Sequence, residues 1–308
     1  MLKEKILARE EPIRLYGFSP PKADNPPEKN LEIAARQAGQ VDALGADGAV
    51  IYDLQDEPGR NGAARPFPFL PTLDPLEYAR GHLAGMRAPR IIYRCVAKDT
   101  ETDFEKWLAR FSASGGGGDL AVFVGAPTRE GNPARLGLKA AHRLAAAHPA
   151  ACFGGVAIAE RHLKTKNEDE RLLAKHGEGC RFFISQTIYD VQATKSLISD
   201  FAQRFSTAGL AAPPFILSFA PCGSLKTMEF MKWLGISFPR WMENELRHSH
   251  DILEKSIGLC TEMAAELAAH ARAKGVPVGM NVESISIRRV EIEASCALYR
   301  SLASGVFA

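Results

Sequence analysis

The chain has 308 residues, 46% hydrophobic and 24% charged, with a formal net charge of +2. That balance is ordinary for a soluble globular enzyme and holds no concentrated basic stripe of the kind nucleic-acid binding requires. No apolar stretch approaches the ~20 residues of a membrane helix, and the N-terminal MLKEKILAREEP lacks the apolar core of a signal peptide. The expectation is a cytoplasmic protein with neither a membrane nor a nucleic-acid partner.

In chain order, a short apolar run at 13–19 walks into Pro20-Pro21, where a strand must stop because proline cannot donate to a ladder. A helical pattern follows in NLEIAARQAGQVDALG, then a strand at 48–54 and the loop QDEPGRNGAARPFPFLPTLD. That loop is long for a compact domain, and its Arg60 and Arg65 are placed either to clamp an anionic tail or to pack against the barrel side. Next come a helix from about Pro75, a strand at 90–96, and TETDFEKWLARFSAS, with Thr100 or Thr102 as its cap. A GGGG turn at 115–118 precedes a strand at 119–126; further strands are read at 152–160, 180–186, 213–221 and 276–284, each followed by a helical pattern. A long helix within 240–274 exceeds what one strand–helix unit needs and has apolar positions for packing on the barrel or for a dimer contact.

Eight continuous apolar strands alternating with helices read as a parallel sheet covered on both faces, and eight such units make a single (β/α)8 barrel spanning 1–308. An open doubly wound sheet would carry a Gly-rich phosphate turn after its first strand, and GFSPPK is not one. In a barrel of this kind the chemistry sits at the C-terminal strand ends. Those ends are Gly17-Phe18-Ser19, Tyr52-Asp53, Arg94, Gly125-Ala126, Glu160, Gln186, Pro221-Cys222-Gly223 and Asn281 to Glu283. The six cysteines lie far apart, mostly in apolar runs, and read as reduced core thiols; His162, His176, His248 and His250 lack metal-ligand spacing and read as surface residues.

Several segments taken together, GFSPPK, GGVAIAE, EDERLLAKHGEGCRFFISQTIYD and ILSFAPCGSLKTMEFMKWLGISFPRWM, resemble the methylenetetrahydrofolate reductase family. The resemblance is good from residue 150 onward and patchy before. It implies reduction of 5,10-methylenetetrahydrofolate, a bound FAD that takes hydride from NADH or NADPH, and a role in one-carbon metabolism. By the same resemblance, the family's pterin-contacting glutamine falls on Gln186, its substrate-stacking aromatic on Leu225, its lysine near Lys226, and its last-helix arginine on Arg288 or Arg289. Tyr52, Arg94 and Lys175 are left to hold the flavin.

Two departures stand out. The family's acid before the Pro-Pro pair falls on Gly17 and its strand-four aspartate on Ala126, neither of which can move a proton through a side chain. Another carboxylate must then serve as acid, with Glu160 and Glu283 best placed and Asp53 third. Each also has a plainer reading: a rim ion pair of Glu160 with Arg161 or Lys164, a helix cap for Glu283, a loop tie for Asp53. Cys222 has no adjacent base and reads as a buried thiol. The loss of both carboxylates leaves open a folate-binding or methyl-transfer partner without redox chemistry. A barrel lyase or hydrolase using Glu160 and Glu283 is a further reading.

Overall fold

The computed structural model describes residues 1–56, 63–113, 118–125, 135–148 and 151–308. A lead-in helix, α1 (Leu2–Ala8), precedes β1 (Ile13–Phe18). There follow α2 (Pro27–Leu44), β2 (Gly48–Ile51), α3 (Pro75–Gly81), β3 (Arg90–Cys95), a 3-10 turn (Val96–Lys98), α4 (Glu101–Ser112), β4 (Leu120–Val124), α5 (Leu138–Ala147) and β5 (Phe153–Ala157). The second half runs α6 (Ala159–Thr165), α7 (Glu168–Gly177), β6 (Phe183–Thr187), α8 (Val191–Thr207), β7 (Phe215–Phe219), α9 (Leu225–Trp233), α10 (Arg240–His248), α11 (Ile252–Ala273), β8 (Val278–Glu283) and α12 (Arg289–Ser304).

All eight strands are parallel and close in sequence order, β8 pairing back onto β1. The protein is therefore a single-domain (β/α)8 barrel. Alternation along each strand sends one set of side chains outward against the helices and the other into the barrel. The inward set at the N-terminal end is apolar: Ile13, Leu15, Ile91, Leu120, Cys152, Phe182 and Ile216 are all buried there, and α1 closes that end with Leu2 and Ile6. Thr100 caps α4 in a capping box with Asp103, which satisfies orphan N–H groups at both residues.

Four local expectations change. The segment 240–274 is two helices, because Ser249 and His250 break it and Asp251 caps the start of α11 through the Leu253 and Glu254 N–H groups. Strand five stops at Ala157, so Glu160 lies in the first turn of α6. In β6 the register against β7 slips between Ile184 and Thr187, three residues facing two, a bulge that turns Thr187 inward. His162 is buried, its Nε2 2.9 Å from Asp200 and its Nδ1 3.8 Å from Asp169. Ala126, Arg60 and most of the GGGG turn lie outside the described residues.

Candidate functional site

Toward the C-terminal end the barrel interior changes character. Asn281 of β8 donates through Nδ2 to the Tyr52 hydroxyl at 2.8 Å and to Ser218 Oγ of β7 at 3.3 Å. Two residues on, the Glu283 carboxylate accepts from Thr187 Oγ1 at 2.7 Å and from the Tyr52 hydroxyl. The Tyr52 and Tyr93 rings meet edge to face, centroids 4.9 Å apart, and wall the other side. Burial raises the Glu283 pKa against the lowering effect of its two hydroxyl donors. Burial likewise pushes Tyr52 and Tyr93 well up, and the Glu283 charge adds to both. The result is a carboxyl biased toward its protonated form, between two un-ionised phenols, at the mouth of a barrel.

Gly17 explains why the acid expected on β1 is absent. A Cβ there would stand 2.9 Å from Tyr52 Cε2 and 3.1 Å from Asn281 Oδ1. Tyr52 and Asn281 occupy the space a β1 side chain would need, so the carboxyl of this site comes from β8. Asn281 Oδ1, beside that glycine, is buried and has no hydrogen-bond partner.

The rim carries other candidates. The carbonyl of Leu234, just past the end of α9, accepts from Gln186 Nε2 at 2.8 Å at the tip of β6. Gln186 is thus half-buried on the rim with its N–H group used, and its Oε1 bonds to nothing among the described residues. Just beyond, the Ser237 N–H donates to Glu160 Oε1 at 3.2 Å, and burial raises the Glu160 pKa. Arg161 pairs with Glu168 instead, so the expected Arg161 partner of Glu160 is engaged elsewhere. Leu225 is exposed at the first turn of α9, and the Lys226 ammonium lies 4.5 Å from the Phe67 ring centroid. On the opposite rim, Pro21 and Thr72 are stitched together by an isolated bridge between Lys22 and Thr72 and by Leu73 N–H donating to Pro21 O at 3.0 Å.

Four assignments made from the sequence do not sit at this mouth as expected. Arg94 faces outward from β3, where Asp99 grips it and Asp74 Oδ2 accepts at 2.8 Å; it braces the barrel wall. Lys175 packs behind β5, donating to Val156 O at 2.7 Å, with its pKa lowered by burial. Asp53 accepts from the Cys95 N–H at 2.8 Å and pairs with Lys98 at 2.7 Å, tying β2 to β3 rather than standing free as an acid. Arg289 is 91% exposed and pairs along α12 with Glu293, while Arg288 caps that helix, so Glu283 is not its cap. Cys222 is fully buried with its thiol pushed up to about 12, in keeping with the buried thiol read from the sequence.

The flavin implied by the resemblance was assigned to Tyr52, Arg94 and Lys175. Two of these are consumed in the outer wall and the third fills the barrel interior, so the three do not form a cradle for it. A cavity of about 560 Å³ does include Arg94, but it lies on the outer wall with Asp99, Asp103 and Lys106 and does not open to the mouth. Asn281 was read as a strand end without a role, and sequence reasoning missed Thr187 and Tyr93. Tyr93 had a signal, being polar at an inward position of an apolar strand; Thr187 had none, because the bulge that aims it is a tertiary feature.

No family model and no curated protein matches this sequence. Among solved structures, an uncharacterized protein from Clostridium thermocellum that binds two copies of 5-methyl-5,6,7,8-tetrahydrofolic acid is 41% identical. The likeness covers 98% of this chain and 99% of that one, with a TM-score of 0.85. This chain belongs to the family of that Clostridium thermocellum protein. A 7,8-dihydropteroate synthase from Vibrio fischeri ES114 and a dihydropteroate synthase from Xanthomonas albilineans are 13% and 12% identical with TM-scores of 0.47 and 0.43. They cover 96% of this chain and 93% and 94% of their own, a likeness too slight to carry an inference. Membership of this family accounts for the fold over its whole length.

Proposed function

We propose that the protein binds a reduced folate of the 5-methyltetrahydrofolate type in the C-terminal mouth of its barrel, as a folate-binding or methyl-transfer partner in one-carbon metabolism. The observation that carries this is the full-length family relationship to a protein that binds 5-methyltetrahydrofolate. The mouth supplies matching chemistry. A tetrahydropterin has a flat edge of donors and acceptors and a basic N5. Tyr52 and Tyr93 offer an aromatic wall, Gln186 Oε1 an open acceptor at the rim, and Glu283 a carboxyl that burial favours in its protonated form. Glu283 donates to N5, the atom that must carry a proton before its methyl group can leave. Arg94 and Lys175, two of the three residues assigned to the flavin, lie in the outer wall, which favours a site without a flavin.

Calorimetric titration with 5-methyltetrahydrofolate tests this reading. Saturable binding with no flavin absorbance in the purified protein is the expected result; no heat with any tetrahydrofolate overturns it. A second reading is the reductase-like one: hydride from NADH or NADPH to 5,10-methylenetetrahydrofolate. What favours it is the pair of carboxyls with raised pKa, Glu283 in the mouth and Glu160 on the rim, either able to protonate the opening imidazolidine ring. Folate-dependent oxidation of reduced nicotinamide would establish it, and a flat absorbance trace at saturating folate would dismiss it.

A further inference from the structure

The loop after β2 crosses to α9. The Trp233 indole donates to the Ala63 carbonyl at 3.0 Å, and the Phe67 ring stands edge-on to Phe230, centroids 5.4 Å apart. Between these anchors the Arg65 guanidinium is enclosed by three rings, its central carbon 5.1 Å from the centroid of Phe69, 5.4 Å from Phe230 and 4.9 Å from Trp233. Its Nε and Nη1 are buried and have no hydrogen-bond partner among the described residues. Among the described residues none forms an ion pair with it. Other arginines here have carboxylates beside them: Arg94 holds two aspartates, Arg161 holds Glu168, and Arg14, whose Nε is also without a hydrogen bond, lies 3.7 Å from Asp47.

We propose that Arg65 is the binding group for a carboxylate on the tail of the bound folate, which rests on the folate reading above. The argument has three parts. Ring faces and burial strip water from the guanidinium, including its unpaired Nε and Nη1, and a dehydrated guanidinium attracts an oxyanion that reaches it more strongly than a hydrated one. The cage stands on the rim, built from the loop after β2 and the helix after β7, whereas Glu283 lies inside the mouth on β8. A folate with its pterin at Glu283 must leave by the rim, and its far end carries carboxylates. The Lys226 ammonium over Phe67 adds positive charge on the same side, and Phe67 and Phe230 offer the intervening benzoyl ring an apolar surface. A free nucleotide phosphate would satisfy the same fork, so the test includes one.

The experiment is isothermal titration of the full chain, wild type and Arg65→Gln and Arg65→Lys, with 5-methyltetrahydrofolate, with the tail-less 6-methyltetrahydropterin, and with ADP. Arg65→Gln is expected to weaken 5-methyltetrahydrofolate binding about tenfold, the scale of one charge-assisted hydrogen bond. The tail-less pterin should bind wild type and Arg65→Gln alike, and Arg65→Lys should fall between them for the folate. Equal losses for both pterins would make the cage a purely structural prop and overturn the proposal. So would an unchanged folate affinity, or a loss confined to ADP. If neither pterin binds the wild-type chain, the folate reading itself falls and this inference with it.

Discussion

The two ends of the barrel interior are built from the same eight strands and differ in almost every property. At the N-terminal end the inward side chains are Ile13, Leu15, Ile91, Leu120, Phe182 and Ile216, sealed by Leu2 and Ile6 of α1. At the C-terminal end they include Tyr52, Thr187, Ser218, Asn281 and Glu283, linked by hydrogen bonds of 2.7–3.3 Å, with the Tyr93 ring edge to face on Tyr52. The closed end stabilises by removing apolar surface from water, at about 25 cal/mol per Å². The open end pays for its polar groups, since each must find a partner or remain unsatisfied. Asn281 Oδ1 has none. Stability and function are therefore divided along the strand axis, as expected for this fold.

The division can be broken from either side. The largest effect is expected at the closed end. Phe182→Ala should cost roughly 3–5 kcal/mol of unfolding free energy, read by urea denaturation, while the folded fraction keeps its folate affinity. A loss of affinity without loss of stability would contradict the division. In the outer wall, Arg94→Met should cost about 3 kcal/mol, because it leaves the buried Asp99 charge uncompensated. Folate titration of that variant should match wild type, which also tests the claim that Arg94 holds no cofactor. Gly17→Ala should cost roughly 1–3 kcal/mol by overpacking against the Tyr52 ring, with weakened folate binding because that ring must move.

Glu283→Gln is the finest probe. A carboxyl whose folded pKa is raised binds more protons folded than unfolded. Its contribution is fully present below the ordinary glutamate value of about 4.3 and is lost as pH rises through the higher folded value. The variant should remove that part of the decline, leaving a flatter stability profile on the alkaline side. It should also remove the fall in folate affinity with rising pH expected where the protonated carboxyl is the donor to N5. A wild-type affinity that instead climbs with pH would assign Glu283 the opposite role, an ionised acceptor.

Much of the fold was legible because it depends on composition repeated eight times. Runs such as RIIYRCV and RFFIS are apolar on both faces, and only a covered parallel sheet buries both. The site was legible only in outline. Glu283 and Tyr52 were read as strand ends, and the structure brings the two together in the mouth. Gln186 was placed on the rim, but its tie to Leu234 depends on where α9 lies, which the residues of α9 do not state. Arg94 and Lys175 were misplaced because a charged residue at a strand end or on a helix reads the same whether it faces the mouth or the wall.

By itself the sequence determined that the chain closes a parallel barrel and that β1 carries no acid at its tip, since period and residue type are local properties of the chain. Only the tertiary structure decided which carboxyl stands in the barrel mouth, that a one-residue bulge brings Thr187 to it, and that Arg65 is held among three rings. The reason is physical: burial, register and ring contacts are relations between residues far apart in sequence, and burial is what raises the pKa of Glu283.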